Sequence, residues 1–178
     1  MKLIHPCACL KRVLLAIIAC LLPLHAETIL NPGAEGVKKT VVTDSMMGYR
    51  DTLIFYVFEE AKAVLVVGIG NKNLEFPVSA KLHTFAVGTD AEAIDKWVNN
   101  QHSDGLFPEV PEPEATHEVP AASCIAEKSV LVKQVEAHNG QFSSYSVTFR
   151  IKDVPVLGGF KMKDFSDQAP VFVKTQGI

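Results

Sequence analysis

Residues 52 to 67 constrain this fold more than any other stretch. Thr52-Leu-Ile-Phe-Tyr-Val-Phe58 and Ala63-Val-Leu-Val-Val67 are β-branched and aromatic runs separated by the polar Glu59-Glu60-Ala61-Lys62, the pattern of a hairpin with a polar turn. So many Ile, Val, Phe and Tyr disfavour a helix across the same residues. Neither run alternates with polar residues, so both are expected to be central strands covered on both faces.

The flanking segments extend this β pattern. Asn31-Pro32-Gly33 signals a turn, after which Val37 to Thr43 forms a short strand. Gly68-Ile69-Gly70-Asn71 is expected to break the second strand of the hairpin, and Glu75 to Val87 to supply a third, with Phe76, Val78, Ala80 and Leu82 on one face. A helix follows at Thr89, where Thr89-Asp90-Ala91-Glu92 has the form of a capping box. Ala91, Ile94, Trp97 and Val98 make its apolar stripe, Trp97 reads as a core anchor, and Gly105 is the expected terminator.

Residues 106–123 alternate Pro108, Pro111, Pro113 and Pro120 with Glu109, Glu112, Glu114 and Glu118, which predicts an extended connector without packed secondary structure. Beyond it, Ser129 to Val135 and Ser144 to Ile151 are expected strands around the hairpin dipeptide Asn139-Gly140. Val154 to Leu157, Gly158-Gly159 and Phe160 to Met162 suggest a further turn, and Val171 to Val173 a last strand. The expected class is α+β, mainly antiparallel β in a sheet or sandwich-like arrangement, with one packed amphipathic helix.

The first 26 residues have the composition of an export signal. Lys11-Arg12 precedes the apolar run Val13 to Leu24, which is too short to span a membrane as a helix, and Ala26 is a suitable residue to cut before Glu27. Ile17-Ile18-Ala19-Cys20 also resembles the lipobox of bacterial lipoproteins, in which Cys20 would carry lipid and anchor the protein to a membrane. The expected organisation is a signal peptide at 1–26 and one β-rich domain at 27–178, placing the protein in the periplasm or outside the cell.

Removing residues 1–26 takes away Lys2, Lys11 and Arg12 and no acid, so the net charge falls from −3 to −6. An acidic chain with only Arg50 and Arg150 as arginines excludes nucleic acid as the expected partner. Of the four cysteines only Cys124 remains, which excludes an internal disulfide. About 150 residues bury enough apolar area to fold without one.

Candidate chemistry is sparse. Gly68-Ile-Gly-Asn-Lys-Asn73 follows a strand as a dinucleotide loop would, but Leu74 to Pro77 continues as strand and supplies no helix N-terminus, so no cofactor is expected. His102, Asp104, Glu109, Glu112, Glu114, His117 and Glu118 are dense in potential ligands without a recognised metal spacing, and are read as a solvated acidic linker. Cys124 has small apolar flanks and no thiolate-stabilising neighbour in sequence. A secreted enzyme built on Cys124, His102 and Asp104 is therefore the opposing reading, and the balance leans away from catalysis.

The polar cluster Asn99-Asn100-Gln101-His102-Ser103-Asp104 at the helix end is the candidate ligand site, with Trp97 one turn earlier, the proposed contacts being Trp97, Asn100, His102 and Asp104. Ile29-Leu-Asn-Pro-Gly-Ala-Glu-Gly36 resembles the Asn-Pro-Gly-x-Glu-x-Gly opening of many carbohydrate-binding jelly-roll modules. That resemblance implies sugar binding as an alternative and assigns no contact residue, because Val37 to Arg50 lacks the tryptophan usual there. The expected role is a small exported protein acting by binding or interaction, its partner a protein or glycan. Pairing through exposed strand edges, including homo-oligomerisation, is a third possibility.

Overall fold

The structure is a computed structural model that describes residues 27–43, 52–102, 109–137, 140–152 and 158–175. The segment expected to direct export, with Cys20 and Ala26, lies outside these residues, as do Asp104, Gly105, Asn139 and Val154 to Leu157; Glu27 is the first described residue and is exposed.

Strand pairing is almost entirely antiparallel, with a single α-helix among the described residues. A five-stranded sheet runs in the order β2 (Lys38–Thr43), β3 (Thr52–Phe58), β4 (Ala63–Ile69), β5 (Val78–Thr84), β6 (Ala115–Glu118). A three-stranded sheet runs β10 (Phe165–Thr175), β8 (Gly140–Ile151), β7 (Cys124–Ala137). A small parallel pair joins β1 (Thr28–Leu30) to β9 (Phe160–Met162).

Strand alternation divides the interior into two cores. Ile54, Tyr56 and Phe58 of β3, Leu65, Val67 and Ile69 of β4 and Val78, Ala80 and Leu82 of β5 pack against Val147, Phe149 and Ile151 of β8 and Phe165, Ala169 and Val171 of β10. The intervening residues of β3 and β4, Phe55, Val57 and Val64, face the opposite way and pack with Phe85 against Ile94, Trp97 and Val98 of α1 (Ala91–Asn100). The central strands β3 and β4 are thus covered on both faces, which accounts for their unbroken apolar runs.

Several boundaries differ from expectation for local reasons. β4 runs through Gly68 to Ile69, because Gly68 is paired with Leu53 and Ser79 and a side chain there would meet Ser79 Oγ at 3.0 Å. The reversal instead falls at Lys72–Glu75, where Asn73 and Leu74 take positive φ values of 52° and 63° and β5 starts only at Val78. The helix N-cap is Asp90 in place of Thr89: its carboxylate accepts from the Ala93 N–H at 2.6 Å.

The connector also needs correction. Ala115–Glu118 is a paired strand, β6, with His117 opposite Leu82 and Thr116 opposite His83, and Ala121–Ser123 forms one 3₁₀ turn. Proline spacing suggested an unpaired chain, yet the four residues between Glu114 and Val119 contain no proline and so carry every N–H that edge pairing requires.

Candidate functional site

Sheet edges are where this fold exposes unsatisfied chemistry, and the two edges of the three-stranded sheet differ sharply. β10 is closed by side chains from the larger sheet. The Gln168 carbonyl accepts from Lys39 Nζ at 3.4 Å, the Pro170 carbonyl from Thr52 Oγ1 at 2.5 Å and the Phe172 carbonyl from Asn71 Nδ2 at 3.2 Å. The Gln168 N–H donates to the carboxylate of Asp167 at 2.7 Å, and Pro170 has no N–H to offer. Three carbonyls and one N–H that a further strand would use between Gln168 and Phe172 are therefore already occupied.

Behind this edge, Asp167 also accepts from the Tyr56 hydroxyl at 2.7 Å and from Lys39 Nζ at 2.5 Å. Burial pushes the Asp167 carboxyl up, but the Lys39 and Tyr56 hydrogen bonds and the Gln168 N–H outweigh it and hold the group below the usual carboxylate range. Burial, reinforced by Asp167, pushes the Tyr56 phenol well above its ordinary value. This cluster ties the two sheets together and keeps Tyr56 a neutral donor.

β7 is the opposite case. It spans 14 residues, pairs with β8 on one side only, and every residue from Ile125 to Gln134 is exposed. Apolar side chains are among them: Ile125 is 38 % exposed, Val130 47 %, Leu131 48 % and Val132 64 %. Leu131 pairs with Tyr145, on the face that carries buried Val147, yet stays half exposed, so the larger sheet does not cover it. Register irregularities leave Glu127 and Val132 without partners on β8. Such bulges twist an edge and shorten the ladder that it offers.

At the helix end, the residues singled out from sequence are separated by burial. Trp97 is only 6 % exposed, its ring edge-on to Phe85 at 5.3 Å and 4.9 Å from the His83 ring. Asn100 is half-buried, and His102 is exposed with its ring 6.2 Å from Phe55. A ligand arriving there would meet Asn100 and His102, with the indole turned into the core beneath them. His83 itself bonds Thr116 through Nδ1 at 2.9 Å; burial, then Lys81, lowers its pKa below the ordinary imidazole value.

Cys124 is buried, and burial pushes its thiol up, opposite to the shift that a nucleophile needs. Among the described residues no three of His, Cys, Asp and Glu gather as metal ligands. Two open clefts flank the β3–β4 turn. One, about 500 Å³, is lined by Asn31, Ala34, Glu35, Gly36, Glu60 and neighbours; the other, about 430 Å³, by Glu60, Lys62, Glu114, His117, Gly158 and neighbours. The second is shaped by Gly158, whose positive φ and missing side chain let the His117 ring lie against the backbone.

Sequence reasoning pointed to strand edges as a class but did not single out β7. Its signal was the consecutive Val130-Leu131-Val132 between Lys128 and Lys133, which breaks the alternation of a half-buried strand. No protein-family model, curated protein or solved structure gave a significant match to the chain.

Proposed function

We propose that this is a small exported protein that acts by binding, and that its partner adds as a strand along β7. The contrast between the two edges of the smaller sheet carries this reading: β10 is capped at its Gln168, Pro170 and Phe172 carbonyls, whereas β7 presents 14 residues of one-sided backbone with exposed Val130, Leu131 and Val132. Strand addition supplies affinity through backbone hydrogen bonds and specificity through alternate side chains. Export is supported by Lys11-Arg12, the Val13 to Leu24 run and Ala26. No helix among the described residues is long and apolar enough to cross a membrane.

Photo-crosslinking in cells tests the binding reading. A crosslinker at Val132 should capture a discrete partner, one at Ile29 should not, and Val130→Lys should abolish the capture. Equal labelling at both positions would remove β7 as the interface. Mass spectrometry of fractionated protein tests the address: the expected start is Glu27, or a lipid-modified Cys20, and a chain retaining Met1 to Ala26 in the cytoplasm would refute export.

A glycan reading rests on a different observation. The segment resembling a carbohydrate-module opening lines the 500 Å³ cleft through Asn31, Ala34, Glu35 and Gly36. A sugar bound there should raise the melting temperature in a glycan screen, and Glu35→Ala should cancel the rise.

A further inference from the structure

We infer that the cleft of about 430 Å³ at one end of the larger sheet binds a small zwitterion with an apolar side chain, of the amino-acid or dipeptide class. This goes beyond strand addition at β7 and does not depend on it. The cleft lies where β4 begins, β5 ends and β6 begins. Ala63 and Ala115 both pair with Thr84, so the next residues, Lys62, Phe85 and Glu114, gather at one end of the sheet. Backbone hydrogen bonds fix all three: the Lys62 N–H donates to the Glu59 carbonyl at 3.3 Å, the Phe85 N–H to the Lys62 carbonyl at 2.8 Å and the Glu114 N–H to the Thr84 carbonyl at 2.8 Å.

Charge names the ligand. Lys62 lines the cleft together with Glu60 and Glu114, yet among the described residues none of these three side chains forms an ion pair or a hydrogen bond. Elsewhere on this surface opposite charges within reach do pair, as Lys38 does with Glu59 and Asp95, and Lys81 with Glu118. Opposite charges kept apart around one cleft leave a cation and two anions to be matched together. A lone anion there would face two carboxylates, and a lone cation would leave Lys62 unmatched; a molecule carrying both charges answers both.

Backbone geometry and apolar surface are the second argument. Lys62 holds a φ of 48°, a conformation that glycine takes without strain and lysine does not. Gly158, with a φ of 73°, lets the His117 ring lie at the same cleft. Two left-handed positions thus each place a nitrogen-bearing side chain on one cavity. Its apolar wall is Phe85, which is buried, half-buried Phe160, and Val87, which is 91 % exposed and would be covered by an aliphatic side chain laid beside it.

Calorimetric titration of the purified protein with leucine and leucyl-leucine tests the inference. Isoamylamine and isocaproate are run beside them, because each keeps the side chain of leucine and only one of its two charges. Saturable binding is expected for at least one of the two zwitterions, with both single-charge analogues about tenfold weaker or more. Lys62→Gly relieves the backbone, so it should hold or raise the melting temperature while weakening the zwitterion about tenfold and leaving isoamylamine unchanged. Glu60→Gln combined with Glu114→Gln should weaken the zwitterion and leave isocaproate no weaker. No saturable binding of either zwitterion at millimolar concentration overturns the inference. So do analogues that bind as tightly as the zwitterions, and a Lys62→Gly protein that binds like wild type. Crosslinking at Val132 is read separately, so either site can fail while the other stands.

Discussion

His83 shows how one side chain couples packing to pH. Its ring lies between β6 and α1, bonded to Thr116 and close to Trp97, with Lys81 and Glu118 of the adjoining ion pair on the same face. Because burial and Lys81 depress its folded pKa below the ordinary imidazole value of 6.5, the unfolded chain takes up a proton that the folded chain resists. The stabilisation is therefore present above about pH 6.5 and is lost as pH falls toward the folded pKa. Melting temperature should drop between pH 7 and pH 5 in wild type, and less steeply in His83→Gln; equal slopes would show that His83 is not responsible. Asp167 has the same sign in a more acidic window, below the ordinary carboxylate value of 3.8. Tyr56→Phe removes the phenolic donor to Asp167 and should cost about 1–2 kcal/mol in urea denaturation, since the carboxylate keeps Lys39 and the Gln168 N–H. A cost below a few tenths would show that the hydroxyl is solvated as readily as it is bonded.

Elements of this fold differ in how their edges and ends are satisfied. The α1 N-terminus depends on the Asp90 carboxylate, so Asp90→Ala should destabilise by about 1 kcal/mol, while Thr89→Ala should leave the melting curve within error. The reverse ranking would restore Thr89 as the cap. At β10, Thr52 is 1 % exposed and satisfies the Pro170 carbonyl; Thr52→Val keeps the shape and orphans that acceptor. The expected cost is about 1–3 kcal/mol, together with faster hydrogen exchange in β10 and unchanged exchange in β7. Uniform acceleration of both strands would mean that the cap is not local. The central elements were legible because each rests on local pattern: β3 and β4 from their runs of Ile, Val, Phe and Tyr, β5 from its alternation, α1 from its apolar stripe. β6 was hidden by the prolines around it, since pairing on an edge needs only a few free N–H groups and a neighbour that arrives from distant sequence.

For the whole molecule, three layers share the apolar residues: the smaller sheet, the larger sheet and α1. Trp97 holds the outer layer, and Trp97→Ala should cost about 3–5 kcal/mol by emptying the contact with Phe85 and His83. A loss under 1 kcal/mol would place the indole outside the core. Lys38 links the layers at the surface, bridging Glu59 at 2.6 Å and Asp95 of the helix at 2.9 Å, an exposed network that steers geometry more than it stabilises. The apolar edge of β7 is among the apolar surface that this layering leaves uncovered.

What the sequence determined by itself was local: strands from β-branched runs, the helix from its 3.6-residue stripe, and the turn at Asn31-Pro32-Gly33. Those properties depend on neighbours within a few residues. The tertiary structure decided which apolar residues are buried and which are left over. Trp97 and Val130 are both large and apolar, and only the layers packed above and below them turn one into a core anchor and leave the other on an open edge. The capping of β10 likewise joins Lys39, Thr52 and Asn71 to residues about a hundred or more positions away, a relation that no local pattern encodes.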